Sequence, residues 1–185
     1  MVGEMWLDGI VSEEAWRSQN RRPLVICPEP NGSGYEHRQR DMRLLLRNER
    51  GKFCLRLARL LRLFFGTGTE DQNPLLRCAF IDLSKRSAGS NASRNRIAEA
   101  THLHSHKLAQ QIQSINPTHI LVAGKPARAA FDQYLRTLVE PGVVAIAYVP
   151  HPMARVSNKK YKQKVLEAVS SGSRNARRRE RRKTT

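Results

Sequence analysis

Four short apolar runs in this chain each give way to a side chain that can do chemistry. Leu24-Val25-Ile26-Cys27 stops at Pro28 and leads into Glu29, Pro30 and Asn31. The run over residues 75–83 closes with Asp82, and Ile120-Leu121-Val122-Ala123 is followed by Gly124 and Lys125. The run over residues 143–149 meets Pro150-His151-Pro152. An ionised carboxylate only accepts hydrogen bonds, an amide accepts and donates, and a neutral imidazole does one at each ring nitrogen. Such groups, brought to one place, can handle protons and stabilise developing charge.

The intervening segments have helical character, and strands that alternate with helices predict a parallel sheet with right-handed crossovers. The expected fold is α/β, a three-layer sandwich with a central four-stranded parallel sheet flanked by helices. Ligands of such sheets bind beyond the carboxyl ends of the strands, where all four signals fall. An amphipathic helix is expected over residues 5–20, with Trp6, Ile10 and Trp16 on its apolar side, ending at Arg21-Arg22-Pro23. Residues 38–65 read as two helices split near Gly51. The second carries Arg56, Arg59 and Arg62 in an i, i+3 rhythm, as a solvated face or a DNA-facing one. Further helices are expected over residues 96–115, from Gly124 to Leu138, and over residues 158–170. The division is an N-terminal helical segment (1–22), one domain (23–170) and a basic tail (171–185) expected to be disordered when free.

The charge balance names the class of partner. Lys and Arg number 33 against 16 Asp and Glu, a formal +17. The tail accounts for +6, with seven basic residues and one acidic from Arg174 to Lys183, so about +11 belongs to the rest. An excess of that size points to a polyanion, most simply nucleic acid. No apolar run approaches the roughly 18 to 20 residues that span a bilayer, and the opening residues lack a signal-peptide layout. Cys27, Cys54 and Cys78 stand singly in apolar stretches, which reads as buried reduced thiols in a cytoplasmic, nucleoid-associated protein. His102, His104 and His106 alternate on an expected helix, and so point apart, unlike the i, i+4 metal pair. No metal, no cofactor and a monomer are expected. Neither the Walker nor the dinucleotide glycine pattern is present, and no aromatic RNP strand motif supports a generic RNA binder.

Over residues 23–170 the order of motifs resembles the uracil-DNA glycosylase superfamily. Pro28-Glu29-Pro30-Asn31-Gly32 is similar to that family's water-activating loop, and Ile81-Asp82-Leu83 sits where the family has a base-reading Asn. Ile120 to Ala127 resembles its strand–glycine–helix segment, and His151-Pro152-Met153 resembles the His-Pro-Ser motif that opens its DNA-intercalating loop. The resemblance implies a monofunctional DNA glycosylase that flips a nucleotide out of the stack, because the sugar–base bond is unreachable inside it. His151 would then donate to the departing base, and Glu29, with Asn31 beside it, would orient the attacking water. Pro30 fills the slot where several branches hold Asp or Asn, which makes a non-catalytic DNA-binding or base-flipping module of the same fold the main alternative. Asp82 in place of Asn implies a cytosine-type base, whose amino group a carboxylate accepts, rather than uracil. Asp82 as an N-cap or as the partner of Lys85 or Arg86 is the competing reading. Gly32, with Ser33 and Gly34, leaves room for a 5-substituent, or else supplies turn geometry only. Tyr35, with Phe53 in reserve, is the stacking candidate, though both fit a core equally well. Lys85, Arg86, Lys125, Arg155, Lys159 and Lys160 would meet phosphates, and Met153 or Arg155 would fill the gap left by the flipped base.

Overall fold

The computed structural model describes residues 8–29, 41–48, 51–66, 73–85, 93–139 and 145–183, with side chains as far as residue 170. The chain is mixed α/β, built on a five-stranded sheet in the order β1-β3-β2-β4-β5. The strands are β1 (Gly9–Ile10), β2 (Pro23–Cys27), β3 (Ala79–Asp82), β4 (His119–Ala123) and β5 (Ala145–Val149). The last four pair in parallel, and β1 adds an antiparallel edge beside β3, with Gly9 opposite Phe80. The sheet therefore has five strands where four were expected.

The extra strand comes from the segment read as one amphipathic helix. Gly9 holds φ at +135°, which a side chain rarely tolerates and which breaks a helix. Ile10 pairs with Ala79, and Val11 N–H extends the pairing onto the Cys78 carbonyl. Only then does Ser12 cap the short helix α1 (Glu13–Arg17), accepting from Ala15 N–H, with Trp16 buried. The strand expected over residues 75–83 is also shorter. Asn73 Oδ1 accepts from Leu75 N–H and its carbonyl from Leu76 N–H, so a turn occupies the first half.

Side-chain alternation along the parallel strands sends successive residues to opposite faces. Val25, Cys27, Phe80, Leu121 and Val149 meet α2 (Met42–Arg47), α3 (Gly51–Phe65) and the start of α7 (Asn158–Lys183) in one apolar cluster. Leu24, Ile26, Ile81, Ile120 and Val122 join a second cluster with α4 (Arg94–Leu103), α5 (Ser105–Ile115) and α6 (Lys125–Ala130). In α3, Leu57, Leu60, Leu61 and Phe64 follow the helical period and are all buried. The helix expected over residues 96–115 is interrupted at His104, and α6 passes into a π-helical turn, Phe131–Leu135.

The last helix runs past residue 170, where it was expected to end. It continues to Lys183, in keeping with the high helix propensity of Arg, Ala, Glu and Lys. Among the described residues no helix is long and apolar enough to cross a membrane. Cys27, Cys54 and Cys78 are all buried, and none is joined in a disulfide.

Candidate functional site

The order β3-β2-β4-β5 reverses direction at β2, which has β3 on one side and β4 on the other. The segments leaving β2 and β4 therefore diverge, and a crevice opens at their carboxyl ends. A cavity of about 870 Å³ is found there. Its walls include Pro28 and Glu29 after β2, Gly124 and Lys125 after β4, and His151 and Met153 after β5. Tyr148 of β5 and Lys164 and Glu167 of α7 contribute as well.

His151 is fixed by its own turn. Met153 N–H donates to Nδ1 at 3.1 Å, and Ala154 N–H donates to the His151 carbonyl at 2.8 Å. Burial pulls the imidazole down to about 4, so it is neutral at pH 7. With Nδ1 accepting, the single ring proton sits on Nε2. Gly124 allows the close approach of the two strand ends. A Cβ at Gly124 would lie 3.1 Å from the Cβ of His151, and its φ of +92° independently favours glycine. Phe53 of α3 backs the imidazole, its ring centroid 6.0 Å from that of His151 and 5.9 Å from that of Phe80.

Glu29 shares the cavity with His151, but its carboxylate is engaged. Arg96 Nη2 of α4 donates to both oxygens, at 2.8 and 2.6 Å. Burial raises its pKa, and the Arg96 bond and charge oppose the rise. Asp82 lies one strand over, opposite Cys27 in register. It is 3% exposed and is not among the cavity walls. Burial raises its carboxyl to about 8, with Asp8 and Glu29 adding to the rise and Lys85 opposing it, so it is mostly protonated at pH 7. Among the described residues Asp82 Oδ1 has no hydrogen-bond partner, and neither does the buried Arg96 Nε. Asp8 ties Asp82 to its neighbours. Its Oδ2 accepts from Asp82 N–H at 3.0 Å and pairs with Lys85, while Oδ1 accepts from Gln111 at 2.7 Å.

Glu29, His151, Lys125 and Met153 are thus brought together, and Asp82 stands outside those walls, with the Glu29 charge adding to the rise in its pKa. Phe53 supports His151 from outside the cavity walls. Lys85 turns inward onto Asp8, its side chain 14% exposed, so a phosphate contact does not follow from its position. Arg155, Lys159 and Lys160 are exposed. Asn31, Gly32, Tyr35 and Arg86 lie outside the described residues.

Several neighbours were not singled out from sequence. Tyr148 donates its hydroxyl to Asp132 and carries the Arg128 guanidinium 4.4 Å from its ring centroid. Arg96 is 67 residues from Glu29, a pairing that no local spacing announces. Of the three arginines in rhythm on α3, Arg56 alone turns inward, whereas Arg59 and Arg62 are exposed.

Fold and site together define an α/β domain with a largely parallel sheet and a ligand-sized cavity at its switch point. No family model matches the chain, and no curated protein does.

Proposed function

We propose that this protein excises a base from DNA, with His151 as the donor that stabilises the departing base. The observation that carries the reading is the Met153 N–H bond to His151 Nδ1, 3.1 Å long, in a cavity that Glu29 also lines. Breaking the sugar–base bond leaves negative charge on the base. A neutral imidazole whose proton is held on Nε2 meets that charge without reorganising, the property that makes such donors effective. The cavity, about 870 Å³, falls within the range of roughly 300–1,000 Å³ that holds small-molecule ligands. Lys125 and Lys164 on its walls, with Arg155, Lys159 and Lys160 nearby in sequence, supply positive charge for phosphates. Helices over both faces of the parallel strands accord with the three-layer arrangement that the resemblance to the uracil-DNA glycosylase superfamily implies.

In this reading water attacks the sugar carbon as the base leaves, giving a free base and an abasic site. Glu29 orients that water. A carboxylate offers about four lone-pair positions, so the two bonds from Arg96 leave room for another. The proposed base is a cytosine type with a 5-substituent, and uracil is the competing one. That preference rests on Asp82, whose protonated carboxyl can both donate and accept but lies outside the cavity walls, and on Gly32 for space at the 5-position.

One observation favours a second reading, a base-flipping or DNA-binding module without hydrolysis: Arg96 neutralises Glu29 and so weakens it as a base. Duplexes carrying a single uracil, cytosine, 5-methylcytosine or 5-hydroxymethylcytosine, treated with the protein and then with alkali, separate the two. Strand breaks at one base establish excision. Binding without breaks at any base establishes the module.

A further inference from the structure

We infer that Arg56 is a positioning residue, which clasps the main chain after His151 and so fixes which imidazole nitrogen is presented to the cavity. Its guanidinium reaches from α3 to three carbonyls on alternate residues: Pro152 at 3.2 Å, Ala154 at 2.7 Å and Val156 at 3.3 Å. Between those carbonyls lies the N–H of Met153, the one that holds His151 Nδ1. The clasp and the tautomer are therefore two ends of one short turn. A rigid fork of five N–H donors can span acceptors on three residues, whereas an ammonium is a point charge on a flexible stem.

The surroundings show that holding this turn, rather than pairing charge, is what Arg56 does. Among the described residues it has no carboxylate partner. Its guanidinium sits 5.8 Å from the ring centroid of Tyr161, whose hydroxyl donates to the Pro150 carbonyl at 3.4 Å. Phe53, one turn earlier on α3, backs the imidazole itself. One helix thus steadies both the ring and the backbone that orients it, and α7 steadies the residue before. The charged groups sharing the cavity with His151 are Glu29 from the β2 end, Lys125 and Arg128 from α6, and Lys164 and Glu167 from α7. None of these donates to Nδ1; the main chain does.

The inference draws on the proposed reaction only for its activity arm. The direct test is nitrogen-15 NMR of the His151 side chain in the full-length protein at pH 7. Wild type is expected to show a neutral ring with its proton on Nε2. Arg56→Ala is expected to show both tautomers, shifted back toward the wild-type ratio by added guanidinium ion at sub-denaturing concentration. Arg59→Ala, exposed on the same helix, should leave the spectrum unchanged. Abasic-site formation in Arg56→Ala should fall about 100-fold in kcat, the scale of a misplaced reacting group, with KM within about threefold. A single Nε2–H tautomer in Arg56→Ala would overturn the inference. Should that variant not fold, Arg56→Lys decides: it keeps a positive charge but cannot span three carbonyls, so an unchanged spectrum there also overturns it. If the tautomer shifts as expected and wild type releases no base from any duplex, the excision reading fails and the positioning role stands.

Discussion

His151, with its pKa pulled down to about 4, and Asp82, with its pKa pushed up to about 8, stand at the carboxyl ends of β5 and β3, and both are neutral at pH 7 for the same main reason, burial. The consequences for pH run in opposite directions. Between pH 6.5 and 4 the unfolded chain takes up a proton at His151 that the folded chain refuses, so stability falls as pH drops through that window. Between 3.8 and 8 the folded chain keeps a proton on Asp82 that the unfolded chain releases, so stability falls as pH rises. Asp82→Asn is therefore expected to gain on wild type by about 1 kcal/mol per pH unit between pH 5 and 8, measured by urea unfolding at each pH. A gap that does not widen would mean that Asp82 is ionised in the fold. His151→Asn is expected to lower abasic-site formation by about 100-fold or more. The wild-type rate should show no loss from protonation of His151 until pH nears 4, as read from a pH–rate profile. At this scale the sequence pointed to Glu29 and His151, because proline-flanked polar residues after apolar runs are legible. The Arg96 partner of Glu29 and the burial of Asp82 were not, because both depend on residues brought together across the sheet.

Among the elements, β2, β4 and β5 were readable as short apolar runs closed by Pro or Gly. Asn116 ends α5 in a left-handed conformation, with φ of 49°. The N-terminal segment misled because its apolar spacing fits a helix, whereas the bonds that decide it go to β3, 70 residues away. The connection between β4 and α6 is the most sensitive element of the site. Gly124→Ala would meet both a positive φ and the Cβ of His151 at 3.1 Å. With φ at 92° and ψ at 157° the backbone lies in a region populated essentially by glycine alone, which costs a side chain on the order of 1–3 kcal/mol, and relief of the contact must displace the His151 turn. Gly124→Ala is accordingly expected to lower the melting temperature by several degrees and to depress abasic-site formation more than stability alone explains. The check is activity measured well below the melting transition. A variant with a lowered melting temperature and wild-type activity there would remove Gly124 from the site.

For the molecule as a whole, the proposed contact with DNA rests on charge. The formal +17 is shared between the body and the end of α7, and the tail's arginines recur at positions 174, 178 and 182, one helical repeat of four apart. Each phosphate neutralised contributes about 0.9 to the slope of log affinity against log salt. Replacing Arg174, Arg177, Arg178, Arg179, Arg181 and Arg182 with Gln is expected to flatten that slope by several units and to weaken all duplexes alike, as read by binding titrations at stepped salt. Lys125→Ala should change it by no more than about one. A slope that stays steep without the six arginines would assign the contacts to the body alone.

Asp8 joins three parts of the chain that are far apart in sequence, through Asp82, Lys85 and Gln111. A polypeptide shortened to begin at Gly9 would keep its edge strand but would lose the carboxylate that receives Asp82 N–H, the Lys85 ammonium and the Gln111 amide. Anyone trimming this protein for crystallisation, or placing a cleavage site near Asp8, would be removing the carboxylate that ties β3 to α5 rather than a dispensable segment.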